Sequence, residues 1–555
     1  MQNLPKPLSG PKGRPFDENA LAEVAGLLGP RPRRRDLLIE FLHLVQDSLG
    51  ALHARHIKAL AHEMGLSEAE VFEVASFYHH FDFVPDGGKA PPALTIRVCS
   101  SISCMLAGSE QLEAALRAGT DPANIRILEA PCVGRCAEAP VAVVGKNAIG
   151  HATRGKILAA IEAGQINPVL PEARSLADYL DDGGYAVLHS LIAGTLSAEA
   201  VIQALGEAGL RGLGGAGFPA GRKWTILRTM PTPRLMTINA DEGEPGTFKD
   251  RTLLESDPHR MLEGALIAAH VVEAERIYLY LRDEYPAVRE ILTREIKALG
   301  REGLLSIPIE LRRGAGAYVC GEESAMLESL EGKRGLPRQR PPYIAECGLF
   351  GRPTLNHNVE TLFWIRDILE KGADWFARQG INGAKGLRSW SVSGRVKRPG
   401  LKIAPAGVTA RQLVDDYCGG MLDGHNFAGY LPGGASGGML PATLSDLPLD
   451  FGTLEAQGCF VGSHAVVIFS QADDPRAIAR NLMAFFVHES CGQCTPCRVG
   501  SEKLLTLMQA DQWDAPLMQE IEAVMRNASI CGLGQAAPNP MRSILRFFAG
   551  DGENA

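Results

Sequence analysis

The sequence predicts an α/β protein of several domains, helical at both ends with a turn-rich β stretch towards the C-terminal end, and three observations carry that reading. Strand-like runs alternate with amphipathic helical runs through residues 93–384. Residues 385–465 change to short β segments separated by Gly and Pro turns. Cysteines fall into two sets of four with different spacing, Cys99, Cys104, Cys132, Cys136 and Cys491, Cys494, Cys497, Cys531. A length of 555 residues, 45% hydrophobic and 22% charged, suits three or four domains with cores of their own.

Residues 1–16 read as a tail, because Pro5, Pro7, Pro11 and Pro15 leave little room for regular structure. Residues 17–84 are expected to form a helical bundle. Leu38, Leu42, Val45 and Leu49, then Ile57, Leu60 and Met64, then Val71, Val74 and Phe77 recur at steps of three or four. Ser67 before Glu68 and Glu70 reads as an N-cap with an acidic first turn. After a Pro-bounded linker, residues 93–165 read as a compact domain with strands at 93–99, 125–128 and 141–144 and a helix at 110–116. Residues 175–384 form a second α/β domain. Its elements are a helix at 197–207, a strand at 234–239, a helix at 261–272, a strand at 276–281 and a helix from Pro286, where a missing N–H has no intrahelical partner to lose. Helices at 475–488, 501–508 and 516–527 surround the last cysteines in a helical domain, 470–545.

A net charge of −8 argues against a broad nucleic-acid footprint. Met1 precedes Pro-rich polar sequence without an apolar h-region, and no run of about eighteen apolar residues occurs, so neither export nor a membrane span is expected. A cytoplasmic location follows, where close-set cysteines serve as soft-metal ligands more readily than as disulfides.

Cys491, Cys494 and Cys497 follow C-x2-C-x2-C, and Cys531 stands alone behind two helices. Three thiolates from one loop plus one from a distant loop provide the four ligands of a 4Fe-4S cluster. Cys99/Cys104 and Cys132/Cys136 are two pairs on separate loops, as a 2Fe-2S centre with two thiolates per iron requires. Structural zinc is the alternative for both; it usually shows two C-x2-C pairs. A non-enzymatic zinc-binding scaffold is the corresponding rival function. Cys320, Cys347, Cys418 and Cys459 read as core residues.

Between the cysteine sets lie two glycine loops. Gly212, Gly214 and Gly217 fit G-x-G-x-x-G, but a helical segment precedes them where a dinucleotide fingerprint needs a strand. The second, 314–321, follows a strand-like run at 307–311 and opens a helix whose first amides could face a phosphate. The strand ending at Asn239 runs into Asp241, Glu242 and Glu244, carboxylates able to accept from ribityl or ribose hydroxyls. Nicotinamide delivers electrons in pairs and clusters accept them singly, so an NAD-linked cluster protein needs a flavin between them.

With RGLGGAGFPAGRKW (211–224), NADEGEPGTFKD (239–250), GAGAYVCGEES (314–324) and ESCGQCTPCRVG with ICGLG, the chain resembles two subunits of respiratory complex I joined in one. Residues 30–165 resemble the 24-kilodalton-type 2Fe-2S subunit and 175–545 the 51-kilodalton-type NADH-binding flavoprotein subunit. The fusion is most similar to the beta (diaphorase) subunits of NAD-linked formate dehydrogenases; diaphorase subunits of NAD-reducing hydrogenases and fused NADH-dehydrogenase modules of complex I are the alternatives. The resemblance implies a thioredoxin-like 2Fe-2S domain, a Rossmann-like FMN/NADH domain, a ubiquitin-like β-grasp insert and a helical 4Fe-4S domain. It implies FMN, NAD, a 2Fe-2S and a 4Fe-4S cluster as cofactors, and as partner a catalytic alpha subunit with a molybdenum or tungsten pterin and further clusters. Gly212, Gly214, Lys223, Asn239, Asp241, Glu242, Tyr318, Gly321, Glu322 and Asn358 correspond to FMN-contacting positions. Phe218, Lys223, Glu244, Glu323 and Tyr343 correspond to NAD(H)-contacting positions, with Phe218 and Tyr343 as adenine walls and Glu244 the candidate catalytic residue. One departure stands out: His357 sits between Asn356 and Asn358 where the family has consecutive asparagines.

Overall fold

The structure, a computed structural model, describes residues 17–548; the expected tail, 1–16, lies outside the described residues. The chain divides into one unit of Met1–Pro91 with Gly332–Arg334 and a second of Pro92–Glu331 with Gly335–Ala555. In the first unit, helices span Glu18–Leu28, Leu38–Leu49, Ala54–Met64 and Glu68–Phe77. Asp17 caps the first helix. Ser67 and Glu70 form a reciprocal capping box, the Glu70 N–H donating to Ser67 Oγ at 3.2 Å and the Ser67 N–H to Glu70 Oε2 at 3.0 Å. Leu38, Leu42, Val45, Ile57, Leu60, Val71 and Val74 are buried as their periodicity requires, whereas Leu49 and Phe77, in the last turns, are only partly so.

In the second unit, a four-stranded sheet has β1 (Leu94–Cys99) beside β2 (Ile125–Ala130) in parallel, with β3 (Ala142–Val144) and β4 (Asn147–Ile149) added antiparallel on the other edge of β1. Ile96, Val98, Leu112, Leu116, Ile127, Val144 and Ile157 form its core. β4 escaped the sequence reading because three residues carry no visible alternation.

The next sheet is wholly parallel, in the order β8 (Thr354–Asn358), β5 (Arg234–Ala240), β6 (Ala274–Leu281), β7 (Ile309–Arg313). The helix Pro258–Val271 is buried along nearly its whole length, including the polar His259 and Glu263. It packs so closely that a Cβ on Gly264 would lie 2.1 Å from Leu362 O. β8 reads Thr-Leu-Asn-His-Asn, poor in strand formers; pairing with β5 overrides that weak propensity. Because all four strands run the same way, their C-terminal ends share one edge, and the loops leaving Ala240, Leu281 and Arg313 and the end of β8 at Asn358 meet there. Ligands of open parallel sheets bind at that edge.

A five-stranded sheet follows, ordered β10 (Gly400–Pro405), β9 (Leu387–Gly394), β13 (Ala465–Ser470), β11 (Phe427–Leu431), β12 (Leu440–Pro441). First and last strands lie parallel at its centre and the outer pairings are antiparallel, the β-grasp arrangement. The sheet runs past the expected boundary at 465, since β13 is an apolar run buried on both faces that shows no alternation. Helices Pro475–Glu489, Thr495–Met508 and Ala515–Ala528 complete the described chain's main elements; the middle one starts six residues before the expected 501 because Pro496 fits its first turn. Among the described residues, no helix is long and apolar enough to cross a membrane.

Candidate functional site

Parallel β1 and β2 deliver the first cysteine set to one end of their sheet. Cys99 ends β1, Cys104 lies in the short helix Ile102–Leu106, Cys132 follows β2, and Cys136 opens a single turn. All four are buried and free. Cys132 Sγ lies 3.2 Å from Cys136 Sγ, and Cys99 interacts with both Cys104 and Cys132. Contacts with Cys136 and Cys99, helped by the Arg282 charge, push Cys132 towards the thiolate, while Cys104 and then Cys132 push Cys99 up, and Cys132 with burial pushes Cys136 up. Four converging thiols that cannot all ionise without a counter-charge fit a cationic iron centre.

The second set lines a single recess. Cys491, Cys494, Cys497 and Cys531 enclose it with Val319, Pro337, Ser490, Gln493, Ile530 and Leu533. Cys497 and Cys531 are buried, and Cys491 and Cys494 are partly exposed. A Cβ on Gly534 would lie 2.8 Å from Cys497 Cβ and 2.5 Å from Ser529 Oγ, so glycine is needed for the lone ligand's loop to close on the triplet. Burial pushes the Cys497 thiol up to about 11 and Cys531 to about 12, the cost a bound cluster offsets.

Between the thiol sets, the carboxyl edge of the parallel sheet gathers most of the expected cofactor positions. Asn239 Nδ2 donates to Gly321 O at 2.8 Å, and Asn239 Oδ1 accepts from the Asp241 N–H at 3.1 Å. Lys223 Nζ donates to Asn356 O at 2.9 Å and lies 3.5 Å from Glu323. Gly214 lies against Asn358, and Gly243 against Tyr318, each leaving only 3.0 Å for a Cβ. Phe218 and Tyr343 are 41% and 56% exposed, so each can offer a ring face to a stacking partner, although the Arg222 guanidinium lies over the Phe218 ring at 5.7 Å. Asp241 is buried, yet its Oδ2 has no hydrogen-bond partner, and burial pushes its carboxyl well up. An acceptor aimed between Gly321 and Gly243 suits the hydroxyl-rich chain of a flavin nucleotide.

Three expected residues point elsewhere. Glu242, at φ +37°, turns its carboxylate to accept from the Asp250 and Arg251 N–H groups and the Tyr285 hydroxyl, capping the helix Lys249–Ser256. Glu322 Oε2 accepts from the Ser324 and Ala325 amides at 2.9 and 3.0 Å, so the helix start expected to face a phosphate is already capped. Asn358 accepts from Lys249 and donates to Asp250. His357 is buried and accepts the Trp224 indole N–H at 2.6 Å; burial pushes its pKa well down, so it is a neutral structural acceptor. Of the four isolated cysteines, Cys347 is exposed, unlike the core residue expected.

Sequence reading missed the residues tying this edge to the thiols. Arg282, buried at the end of β6, donates to Glu242 O at 2.8 Å and to Cys132 O at 2.7 Å. Phe248 packs on Cys132 and Cys136, and Val319, inside the second glycine loop, walls the other recess. Tyr318 donates its N–H to Glu489 at 2.9 Å, two residues before Cys491. None of these types is diagnostic alone. The 282-to-132 pairing has no local signal.

Residues 205–367 match the Nuo51 FMN-binding domain, 24–165 the thioredoxin-like 2Fe-2S ferredoxin, and 477–555 the NADH-ubiquinone oxidoreductase-F iron-sulfur binding region. The F 2 subunit of NADH-quinone oxidoreductase from Rhizobium meliloti (strain 1021) is 37% identical over 398 residues, 69% of this chain and 94% of that protein. The HndC subunit of the NADP-reducing hydrogenase from Solidesulfovibrio fructosivorans is 36% identical over 398 residues, 69% and 81% of the two chains. A crystal structure of NAD+-reducing NiFe-hydrogenase in the air-oxidised state superimposes with a TM-score of 0.81 and 34% identity, covering 94% of each chain.

Proposed function

The chain belongs to the F-type subunit family of the NADH-quinone oxidoreductases, which are NADH-binding flavoproteins, joined here to a thioredoxin-like 2Fe-2S domain, and from that premise we propose that it is the NAD-reducing diaphorase subunit of a cytoplasmic formate dehydrogenase. It is an NAD-dependent flavin and iron-sulfur oxidoreductase subunit. Membership sets aside the zinc scaffold. Bound FMN supplies the exchange between paired nicotinamide electrons and the single electrons of the clusters.

The chain's own residues bind and orient. Asp241 Oδ2, buried and without a partner, would meet the flavin's hydroxyl-bearing chain, with Asn239, Gly214 and Gly321 shaping the wall. Lys223 offers its charge where Glu323 and Asn356 hold it. Glu244, held by Tyr318 and Ser436, would contact NAD(H), and Phe218 and Tyr343 would flank the adenine. The eight cysteines of the two sets hold the clusters. A bound flavin would take up hydride chemistry itself, so the chain's own residues are needed only to bind and orient, with no protein nucleophile. The observation carrying this reading is the common edge where the Asp241 loop meets both thiol sites, through Phe248 on one side and Val319 on the other.

Formate as the partner's substrate rests on the motif resemblance of the fused chain, with an alpha subunit bearing a molybdenum or tungsten pterin. A second reading, a hydrogenase partner, is favoured by the 94% mutual coverage with the NAD+-reducing hydrogenase chain. Native purification with bound partners, followed by metal analysis and NAD reduction assays with formate and with hydrogen, separates them. Molybdenum or tungsten with formate-dependent NADH formation is expected; nickel with hydrogen-dependent formation would replace this reading.

A further inference from the structure

We propose that Ser436 is a positioning residue of the nucleotide site, acting through Glu244, and that the β-grasp insert is thereby part of that site; this rests on the reading of Glu244 as an NAD(H) contact. Ser436 lies in the turn Ala435–Gly437, on the loop joining β11 to β12. Its N–H and its hydroxyl both donate to Glu244 Oε1, each at 2.7 Å. The other carboxylate oxygen accepts the Tyr318 hydroxyl, from the glycine loop after β7. Glu244 is only 8% exposed, and its two oxygens are held by parts of the chain 118 residues apart.

The grip is close. A Cβ on Gly434 would stand 2.6 Å from Glu244 Cγ, and at φ +77° that position suits glycine alone. The turn is braced from behind by the cluster domain: Asn539 Nδ2 donates to Ser436 O at 2.8 Å, and the Met439 N–H donates to Ser543 Oγ at 2.9 Å. Three donors on one buried carboxylate hold it in a single rotamer and offset part of the rise in pKa that burial imposes. Without the hydroxyl, Oε1 retains one donor and the side chain gains freedom to turn from the nucleotide. The insert, which carries no cluster ligand and no other assigned cofactor contact, thus supplies a specific group to the pocket.

The test uses the FMN-loaded, cluster-containing protein and its Ser436→Ala and Glu244→Ala variants, with NADH affinity from equilibrium titration and kcat and KM from NADH-driven dye reduction. Ser436→Ala is expected to raise KM and Kd for NADH about tenfold, with kcat within about twofold and the flavin-to-protein ratio and Tm unchanged. If Glu244→Ala weakens NADH binding while Ser436→Ala leaves it unchanged, the positioning role is overturned and the reading of Glu244 survives. If neither variant changes NADH binding, that reading falls and the proposal falls with it. Loss of flavin or a lowered Tm in Ser436→Ala, with no selective rise in KM, makes the serine structural and also overturns the proposal.

Discussion

The two cysteine sites contain the same four side chains and differ in everything around them. Cys99, Cys104, Cys132 and Cys136 are wholly buried, and their loop is held from outside by Arg282 on Cys132 O and Arg251 on Gly134 O, both arginines of the flavin domain. Cys491 and Cys494 are part-exposed on the rim of a recess, where Arg498 braces their loop by donating to Gly492 O. Cysteine spacing sets how many ligands arrive, whereas burial and the foreign groups packed on each loop set the surroundings that tune a cluster. The buried site is coupled to the flavin loop through main-chain carbonyls. The open site is coupled through Val319 and Tyr318 and keeps one side towards solvent.

Removing one ligand from each site has the largest expected effect. Cys531→Ala should abolish the 4Fe-4S signal in reduced-state EPR and spare the 2Fe-2S signal, and Cys132→Ala should do the reverse; an unchanged spectrum in either variant refutes that ligand set. Glu244→Ala, which touches neither set, should lower kcat/KM for NADH-driven dye reduction by about tenfold or more with FMN still bound and both EPR signals intact. Next come the two latches. Arg282→Met strands buried acceptors at Glu242, Cys132 and Glu284 and should destabilise the protein by about 3 kcal/mol, whereas Arg498→Ala on the exposed loop should cost under about 1 kcal/mol. Thermal unfolding of both variants measures the difference, and equal losses would dissolve the contrast.

The smallest expected effect is a pH slope. Burial, with Asp250 beside it, pushes the Glu242 carboxyl up to about 7. Folded protein therefore binds more protons than unfolded protein between the unfolded carboxylate value of about 4.3 and 7, and stability falls as pH rises across that window. Glu242→Gln should flatten that stretch of the stability curve, read by denaturant unfolding at several pH values, and an unaltered slope would remove Glu242 as its source.

Much of this architecture was legible in the sequence because it depends on near neighbours. The Ser67–Glu70 capping box, the starts of the helices from Pro286 and Pro475 and the close-set ligand cysteines all arise from residues within six positions of one another. The failed strand context of Gly212–Gly217 was likewise readable, since the helix Ala198–Ala208 stands before it. β8 was not, because Asn356, His357 and Asn358 are strand residues only while β5 pairs with them. Nor was the direction of a carboxylate: Glu242, Glu244 and Glu322 are the same residue in the same kind of loop, yet one caps a following helix, one is gripped by Tyr318 and Ser436, and one caps its own helix.

Residue spacing alone dictates which thiols can share a metal and where the glycine turns fall, and electron counting calls for a flavin wherever nicotinamide and iron exchange charge. Covalent reach limits those choices to a few residues, and electron counting limits the chemistry. Folding brings the C-terminal ends of four parallel strands to one edge, sets Arg282 between Glu242 and Cys132, and closes Ser436 on Glu244 across 192 residues. Those pairings come from burying distant segments against each other, where a polar group left without a partner is costly, and no local pattern encodes which distant group will supply it.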